Sequence, residues 1–379
     1  MLLQQQPPLH LTYCLNIHPG ESWAENFKAI HQHALEVKAR ISPEKPFGLG
    51  LRLSRSAAES LGATSRRQHL RDFLRDHGLY VFTINAFPFG AFHAGPVKER
   101  VYAPDWRSAE RLHYTNLVAD ILADLLPEGM PGSISTVPGS WKPWIQHESD
   151  LRGMTAALAA CAQYLEGLRA RSGVDIALAL EPEPGCFLDT PAETVRFFRE
   201  QLFPASQATR RHLGVCLDTC HVAQQFESPA TALAQYAASG IRVPKTQLSA
   251  ALEAQGAPEA LKAFNEPVYL HQVRARAANG ALTSWNDLPL ALASGKLARA
   301  GQVRVHFHMP LYLDTIGEGL RTTAHAMDDA FFRRLKSGEC PHLEIETYTF
   351  DVLPDKPASV VNHIAREFEW VMARLNTET

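Results

Sequence analysis

Three acidic side chains stand where apolar, strand-like runs of the sequence end. Asp218 closes the run LGVCLD, whose apolar residues alternate as in a buried strand, Glu181 closes IALALE, and Glu346 lies near the end of LEIET. His221 follows Asp218 at a spacing of three. A carboxylate is costly to bury unless it is paired or bound to a cation. Several carboxylates at one site would also repel one another, so their convergence would indicate a divalent metal ion.

Other residues with polar or metal-binding side chains occupy similar positions. Gln247 lies near the end of VPKTQ, and His306 and His308 alternate in VHFHM, so both histidines point to one side of a strand. Glu344 shares a strand face with Glu346. Oxygen and imidazole ligands suit Mn²⁺, Mg²⁺, Zn²⁺ or Co²⁺. The sequence therefore predicts a divalent metal ion without identifying it.

Each of these residues has a structural explanation when it is taken alone. Glu181 precedes Pro182 and could cap a loop with a basic residue, and Asp218 could be a turn residue. A single histidine is more often a core or rim residue than a ligand. Cys216 and Cys220 flank Asp218, where thiolate ligation competes with the simpler interpretation as buried thiols. The prediction of a site depends on the whole set.

Strand-like and helix-like segments alternate along the chain, which is typical of an α/β protein. Repeated strand–helix units form a parallel sheet covered by helices, and eight of them close into a (β/α)₈ TIM barrel. The carboxyl ends of the strands carry the active site in such barrels, and the acids stand at those ends. The strand-like runs are residues 10–17, 47–54, 79–87, 132–137, 175–183, 213–219, 241–249, 303–309 and 343–350.

The sequence offers one strand more than a barrel needs. Residues 250–301 break the repeat and contain a predicted hairpin that turns at Asn279-Gly280. We therefore expect a single domain, 1–379, with an insertion at 250–301 after the seventh strand. Either 241–249 or 303–309 then lies outside the barrel wall or across its mouth. An open, doubly wound sheet is the alternative architecture.

Charge and composition argue against several kinds of partner. The chain has 379 residues and a formal net charge of −3, and it has no basic run, so neither nucleic acid nor an anionic membrane is the expected partner. The first ten residues do not resemble a signal peptide, and no apolar segment is long enough to span a bilayer. The six cysteines form no CxxC pair. These features predict a cytoplasmic protein with reduced thiols that binds a small metabolite.

The loop after the third predicted strand, FPFGAFHAGPVKERVY, combines aromatic and cationic side chains. It would place Phe89, Phe92, His93, Lys98 and Tyr102 above the barrel mouth. Such a set suits a ring or an anionic, hydroxylated ligand. A structural lid that packs its own aromatic residues is the alternative.

Further residues are weaker candidates for the same rim. Trp141 and Lys142 follow the fourth predicted strand, and His271 lies within the expected insertion.

The strand-end motifs LALEPE, LDTCH and LEIET resemble those of xylose isomerase-like barrels, a superfamily that includes sugar epimerases and endonuclease IV-type enzymes. In those relatives a Glu, an Asp, a His and a second Glu bind one divalent ion. The resemblance implies that Glu181, Asp218 and Glu346 are ligands. Gln247 stands where the relatives place a histidine, and His308 could supply an imidazole instead. We therefore keep Gln247 and His308 as candidate ligands.

Another segment departs from the endonuclease IV-type pattern. TVPGSW resembles the His-Pro-Gly-Ser turn of those enzymes, but Val137 replaces their metal-binding histidine. The resemblance therefore does not extend to a three-zinc phosphodiesterase site.

A narrower resemblance covers nearly the whole chain. The segments INAFPFGAFHAGPVKERVYAPDW, PVYLHQVRAR, VRVHFHMPLY and LEIETYTFDVLP are similar to the EboE family. Its members are described as metabolite traffic proteins or sugar phosphate isomerases, encoded in gene clusters linked to the movement of secondary-metabolite precursors toward the periplasm. This resemblance implies that other proteins of such a cluster are partners.

These resemblances imply a metal-dependent isomerase or epimerase that acts on a small hydroxylated carbonyl compound. Glu181 and Glu346 would form the acid–base pair. His221 would hold a substrate oxygen, Lys245 would neutralise an anionic group, and His306 would join the substrate-binding residues. A metabolite carrier built on the same barrel is the first alternative, and an endonuclease IV-like phosphodiesterase is the second.

Overall fold

The structure, a computed structural model, describes residues 1–90, 92, 97–317, 319–350 and 359–376. It contains two sheets, one that forms a barrel and one that lies beside it. The strands are β1 (Leu2–Gln5), β2 (Pro8–Tyr13), β3 (Phe47–Arg52), β4 (Leu79–Asn85), β5 (Gly132–Thr136), β6 (Ile176–Leu180), β7 (Leu213–Asp218), β8 (Arg242–Leu248), β9 (Ala250–Gln255), β10 (Val273–Arg276), β11 (Leu282–Trp285), β12 (Gln302–Met309), β13 (Thr315–Gly317), β14 (Leu320–Thr322) and β15 (His342–Ile345).

The barrel wall consists of eight parallel strands, in the order β2-β15-β8-β7-β6-β5-β4-β3. A parallel bridge between Cys14 and Gly50 joins the two ends of this order. The predicted (β/α)₈ barrel is therefore confirmed. β1 adds an antiparallel strand outside the wall and pairs with β2, a hairpin that the polar segment QQQPP did not suggest.

Strand β8 is the seventh strand of the wall, since it pairs in parallel with both β7 and β15. This resolves the choice between 241–249 and 303–309. The latter run forms β12, which lies in the second sheet. The doubly wound alternative is wrong because the wall strands follow one another around a barrel.

The second sheet is antiparallel, with the order β11-β10-β12-β9-β14-β13. Only Ser249 separates the end of β8 from the start of β9, so the sheet continues from the carboxyl end of the barrel wall. Strands β10 and β11 form the predicted hairpin, in which Gly280 takes a φ of 84° in the turn. The sheet runs from 250 to 322, and therefore includes β12, which the expected insertion 250–301 leaves out.

Most helices connect the wall strands and cover the barrel, and one packs against the second sheet. They are α1 (Trp23–Ala29), α2 (Leu35–Ile41), α3 (Arg55–Leu61), α4 (Thr64–Asp76), α5 (Ala109–Leu125), α6 (Glu148–Ser172), α7 (Pro191–Phe197), α8 (Phe203–Ala205), α9 (Gln207–His212), α10 (Thr219–Gln224), α11 (Pro229–Ala238), α12 (Leu288–Ala293), α13 (Asp329–Lys336) and α14 (Val360–Asn376). The π-helical turns Ile30–Ala34 and Phe198–Leu202 join α1 to α2 and α7 to α8. Short 3₁₀ helices span Leu15–Ile17, Lys98–Tyr102, Lys142–Trp144, Pro258–Phe264, Leu297–Arg299 and Thr323–Ala326.

Helix caps follow the sequence signals. Thr190 and Glu193 form a capping box at the start of α7, with Pro191 at the first helical position. Asp218 caps α10, because its carboxylate accepts a hydrogen bond from the backbone N–H of His221. The capping role fixes Asp218 and His221 relative to each other at the end of β7.

Two apolar cores support the sheets. The larger lies in and around the barrel, and the smaller packs the second sheet around Leu252, Val305 and Phe307. Burial of the wall strands on both faces agrees with their Leu-, Ile- and Val-rich runs. Among the described residues, the helices are all too short or too polar to cross a bilayer.

Candidate functional site

The three predicted carboxylates come together at the carboxyl ends of the wall strands. Glu181 follows β6, Asp218 ends β7 and Glu346 follows β15. One carboxylate oxygen from each lies within 4.8 Å of the others, and all three side chains are buried. Acids that are far apart in sequence therefore share one site, because parallel strands of a barrel end on the same rim.

Two carboxylate oxygens at this site lack protein donors among the described residues. Glu181 Oε2 and Asp218 Oδ2 are buried and accept no hydrogen bond from the described residues. Asp218 Oδ1 accepts from the Ser249 hydroxyl at 2.7 Å and the His221 backbone N–H at 3.0 Å. Burial, and then the neighbouring acids, raise the pKa values of Glu181 and Glu346 well above the usual glutamate value. A divalent cation fits this set, since it would supply the missing partner and offset the repulsion.

Two asparagines fix the orientation of Glu346. Asn16, after β2, donates to Glu346 Oε1 at 2.7 Å, and Asn85, at the end of β4, donates to the same oxygen at 3.1 Å. Sequence reasoning missed both asparagines. Asn85 carries the same signal as the acids, a polar residue that ends an apolar strand, in LYVFTIN.

Gln247 lies beside the carboxylates. It pairs with Asp218 on one neighbouring strand and with Glu344 on the other, and its side chain is fully buried. Neither its Oε1 nor its Nε2 has a hydrogen-bond partner among the described residues. Because a buried amide is costly without partners, the Gln247 carbonyl oxygen is a suitable further ligand for the same cation.

Three imidazoles lie next to the carboxylates. His306 Nε2 is 3.1 Å from His221 Nε2 and 3.1 Å from His308 Nε2. His308 Nε2 is also 3.9 Å from Asp218 Oδ2. Burial lowers the pKa of His308 to about 4 and lowers that of His306 well below the usual value, so both rings are neutral near pH 7. Both histidines of β12 therefore face the site, a choice that the sequence left open.

Glu181, Glu346 and the three imidazoles line a pocket that also has aromatic walls. Phe87, Phe92, Tyr102, Tyr269 and Tyr348 contribute to these walls. An apolar wall above a polar base is typical of small-molecule sites. Of the loop residues expected at the barrel mouth, Phe92, Lys98 and Tyr102 line this pocket. His93 lies outside the described residues.

Glu183 is a pocket residue that sequence reasoning missed. Its Oε1 accepts a hydrogen bond from the Tyr102 hydroxyl at 2.6 Å and from Gln272 Nε2 at 3.2 Å, and lies 3.5 Å from His306 Nδ1. Burial raises the pKa of Glu183. The signal for it was present, because Glu183 follows Glu181 by two residues in LALEPE.

Lys245 does not lie at the rim, where we expected it to neutralise an anionic ligand. Its ammonium is 2.7 Å from Glu344 Oε2 and donates to the Ser135 hydroxyl at 3.1 Å, inside the barrel. Gly50 leaves room for this pair, since a Cβ there would lie 1.8 Å from Glu344 Oε1. The alternation of β8 explains the placement, because Lys245 stands two residues before the strand-end position of Gln247.

His271 also differs from the expected rim position. Its Nδ1 is 2.7 Å from the His306 carbonyl oxygen and its Nε2 is 2.5 Å from Glu266 Oε1, while its ring stacks on Phe307. These contacts place His271 behind β12, where it supports the strand.

The remaining candidates make contacts around the pocket. Lys98 Nζ is 2.7 Å from Asp287 Oδ2. Trp141 stacks on Tyr102, with ring centroids 5.2 Å apart. Lys142 pairs with Glu193 at 3.0 Å.

Phe89 packs against Tyr114 and away from the pocket. This contact agrees with the structural interpretation for that part of the loop.

The cysteines next to Asp218 are buried. Burial raises the pKa values of both Cys216 and Cys220 well above the usual thiol value, which keeps them protonated. The Cys220 thiol donates to the Phe307 carbonyl oxygen at 3.2 Å. Burial favours a thiol at Cys216, whereas the Cys220 sulfur lies within 4.8 Å of a ring nitrogen of His306 and of His308, close enough to share a cation with them.

Comparisons with known structures support the fold. The chain is similar to a xylose isomerase-like TIM barrel protein from Mycobacterium smegmatis in complex with magnesium, with a TM-score of 0.53 and 12% identity over 97% of this chain and 96% of that chain. An IolI protein with a bound zinc atom gives a TM-score of 0.50 and 13% identity over 98% of this chain and 100% of its own. A D-tagatose 3-epimerase-like protein gives a TM-score of 0.50 and 13% identity over 96% of this chain and 98% of its own.

No protein-family profile and no curated protein sequence matches the chain. The structural likeness establishes a xylose isomerase-like TIM barrel fold. Since one barrel fold hosts many reactions, the function has to be argued from the site.

Proposed function

We propose that this protein is a divalent-metal-dependent isomerase or epimerase for a small hydroxylated carbonyl compound, such as a sugar or sugar phosphate. The observation that carries the proposal is the convergence of Glu181, Asp218 and Glu346, in which one buried oxygen of Glu181 and one of Asp218 lack protein donors. Gln247 would complete the ligand set from the neighbouring strand. The similar IolI structure contains zinc and the similar Mycobacterium smegmatis structure contains magnesium, which agrees with such a site.

A bound cation would polarise a substrate carbonyl and stabilise negative charge on its oxygen. Glu181 and Glu346 would then move a proton between them by way of the substrate carbon. The geometry favours this role, because both glutamates line the pocket in which a substrate carbon would lie. Asn16 and Asn85 would keep Glu346 in one orientation throughout the transfer.

The pocket favours a ligand with several hydroxyl groups. Glu183 offers carboxylate oxygens at its base, and the phenol rings of Tyr269 and Tyr348 line its walls. Phe87 and Phe92 provide apolar surface for a ring or a carbon chain. The anionic group that we expected Lys245 to bind has no comparable support, since Lys245 is paired with Glu344.

A metabolite carrier is the second candidate. The observation that favours it is Gln247, an amide where the superfamily resemblance implies an imidazole. The resemblance to the EboE family also links the chain with the movement of secondary-metabolite precursors and with partner proteins of one gene cluster. A carrier would bind its ligand tightly and would not exchange the ligand's carbon-bound hydrogen.

A phosphodiesterase that acts on nucleic acid is less consistent with the residues. Val137 is buried at the position where the resemblance would need a metal-binding histidine. The formal net charge of −3 also disfavours the basic groove that tracks phosphates.

Solvent-deuterium exchange tests the proposed activity. The metal-loaded protein, incubated in heavy water with a panel of ketoses and ketose phosphates, is expected to incorporate deuterium at the carbon next to the carbonyl group of at least one of them. Glu181→Gln and Glu346→Gln should each lower this exchange at least a hundredfold, since general acid–base catalysis contributes about 10²–10⁴.

Glu259→Gln is the matched control, because Glu259 is largely exposed on the insertion and its loss should leave the exchange unchanged. If both active-site variants keep the wild-type exchange rate, Glu181 and Glu346 are not the acid–base pair. Tight binding of a ligand without any exchange would favour the carrier.

A further inference from the structure

The hydrogen-bond partners of the three Nδ1 atoms show which nitrogen of each imidazole ring faces the other two rings. His221 Nδ1 lies 2.9 Å from the Pro182 carbonyl oxygen and His308 Nδ1 lies 2.8 Å from the Glu346 carbonyl oxygen. A backbone carbonyl only accepts hydrogen bonds, so both Nδ1 atoms carry the proton. In each ring, Nε2 is therefore the nitrogen that can bind a metal ion.

His306 has the same pattern. Its Nδ1 lies 2.7 Å from Gln272 Oε1. The amide orientation of Gln272 is fixed independently, because its Nε2 donates to the Pro184 carbonyl oxygen at 2.9 Å. His306 Nε2 therefore also carries a lone pair, and it points at the Nε2 atoms of the other two rings.

The three Nε2 atoms thus face one another. His306 Nε2 is 3.1 Å from each of the other two, and the third pair, His221 and His308, lies within 4.8 Å. Lone pairs at this distance repel one another. Two nitrogens bound to one tetrahedral Zn²⁺, at about 2.0–2.1 Å, are separated by roughly 3.3 Å. The observed spacing is close to that of two ligands on one ion.

We propose that His221, His306 and His308 hold a second divalent cation, of the zinc class, beside the carboxylate site. Asp218 Oδ2, which lacks a protein donor, is 3.9 Å from the Nε2 atoms of both His221 and His308 and could bridge the two ions. His221, His306 and His308 line the pocket, so a ligand oxygen could take an open coordination position. His221 would then act on a ligand through the cation and not directly.

The arrangement depends on the second sheet. β12 brings two of the three imidazoles to the barrel rim, and Thr349 donates to the His308 carbonyl oxygen at 2.7 Å, which holds the end of β12 there. The inserted sheet would therefore supply most of the second cation's ligands. This inference does not require the proposed isomerase activity.

Cobalt titration of the full-length, chelator-treated protein tests the inference. Co²⁺ held by three imidazoles in a near-tetrahedral site gives strong visible absorption, whereas an oxygen-rich, six-coordinate site absorbs weakly. We expect the wild-type protein to bind two equivalents and to develop the strong band. His306→Ala should lose the band and one equivalent, and Glu181→Gln should lose one equivalent and keep the band.

His113→Ala is the control, because His113 is exposed on α5 and should leave both equivalents in place. The wild-type titration alone can overturn the inference, even if His306→Ala does not fold, since one equivalent without the strong band would contradict it. Unchanged binding by a folded His306→Ala would contradict it as well. One equivalent with the strong band would support the imidazole site and count against the carboxylate site.

Discussion

Replacing Glu181 by glutamine should have opposite effects on stability with and without metal. In the metal-free protein, Glu181, Asp218 and Glu346 lie within 4.8 Å of one another in a buried site. Glutamine keeps the shape of Glu181 and removes its charge. We therefore expect Glu181→Gln to be more stable than the wild type when a chelator is present, and less stable when a saturating divalent ion is present.

The size of the effect follows from the geometry. Two unit charges at about 4.8 Å interact with roughly 3 kcal/mol at an effective dielectric constant of about 20. Partial protonation of the acids reduces this repulsion, so we expect a gain of about 1–3 kcal/mol. With an unfolding entropy of about 2.1 cal/mol/K per residue, this gain raises the melting temperature of a chain of this length by roughly 1–4 °C.

Metal binding should make the wild type more stable than Glu181→Gln, which reverses their order of stability in chelator. An ion at a hundred times its dissociation constant stabilises the wild type by about 2.7 kcal/mol, and Glu181→Gln should gain much less. Thermal unfolding monitored by circular dichroism, in chelator and in Mn²⁺ or Zn²⁺, measures both differences, with Glu259→Gln as the control for a glutamate far from the site. A lower melting temperature for Glu181→Gln in chelator would refute the electrostatic reasoning.

Three further predictions address the surroundings of the site. Gln247→His should tighten Zn²⁺ binding about tenfold, since it adds an imidazole beside Asp218, and unchanged affinity in a chelator-competition assay would count against Gln247 as a ligand position. Lys245→Met should destabilise the protein by about 3–5 kcal/mol in denaturant unfolding, because it leaves the buried Glu344 without its ion-pair partner, and Lys245→Met combined with Glu344→Leu should recover most of that loss. Burial raises the pKa of Glu367 to about 8, so its contribution to stability is complete below about pH 4.5 and is lost as the pH rises toward about 8. The melting temperature of Glu367→Gln should therefore fall less over this pH range than that of the wild type. Equal slopes of melting temperature against pH for the two proteins would contradict the prediction.

The barrel was predictable because its strands repeat a local pattern. Each wall strand is a short apolar run, and the acids Glu181, Asp218 and Glu346 end three of them. Because parallel strands end on one rim, periodicity alone was enough to predict that these acids converge. The hairpin at Asn279-Gly280 was predictable for a similar local reason, since it depends on turn residues.

The imidazole cluster was not predictable in full, because it depends on contacts between distant segments. The pattern of β12 shows that His306 and His308 share a face, but only its pairing with β9 and β10 places that face over the barrel. Lys245 was misplaced for a related reason. Its position inside the barrel depends on a partner, Glu344, on the adjacent strand, and the sequence does not show which cation that acid selects.

Crystals grown with Zn²⁺ and measured at the zinc absorption edge give the most direct test of the central claim, that a cation holds the carboxylates together. We predict an anomalous-difference peak between Glu181 Oε2, Asp218 Oδ2 and a Glu346 oxygen, at about 2.0–2.2 Å from each. A map without a peak among these three carboxylates, at a zinc concentration that saturates binding in solution, would contradict the claim.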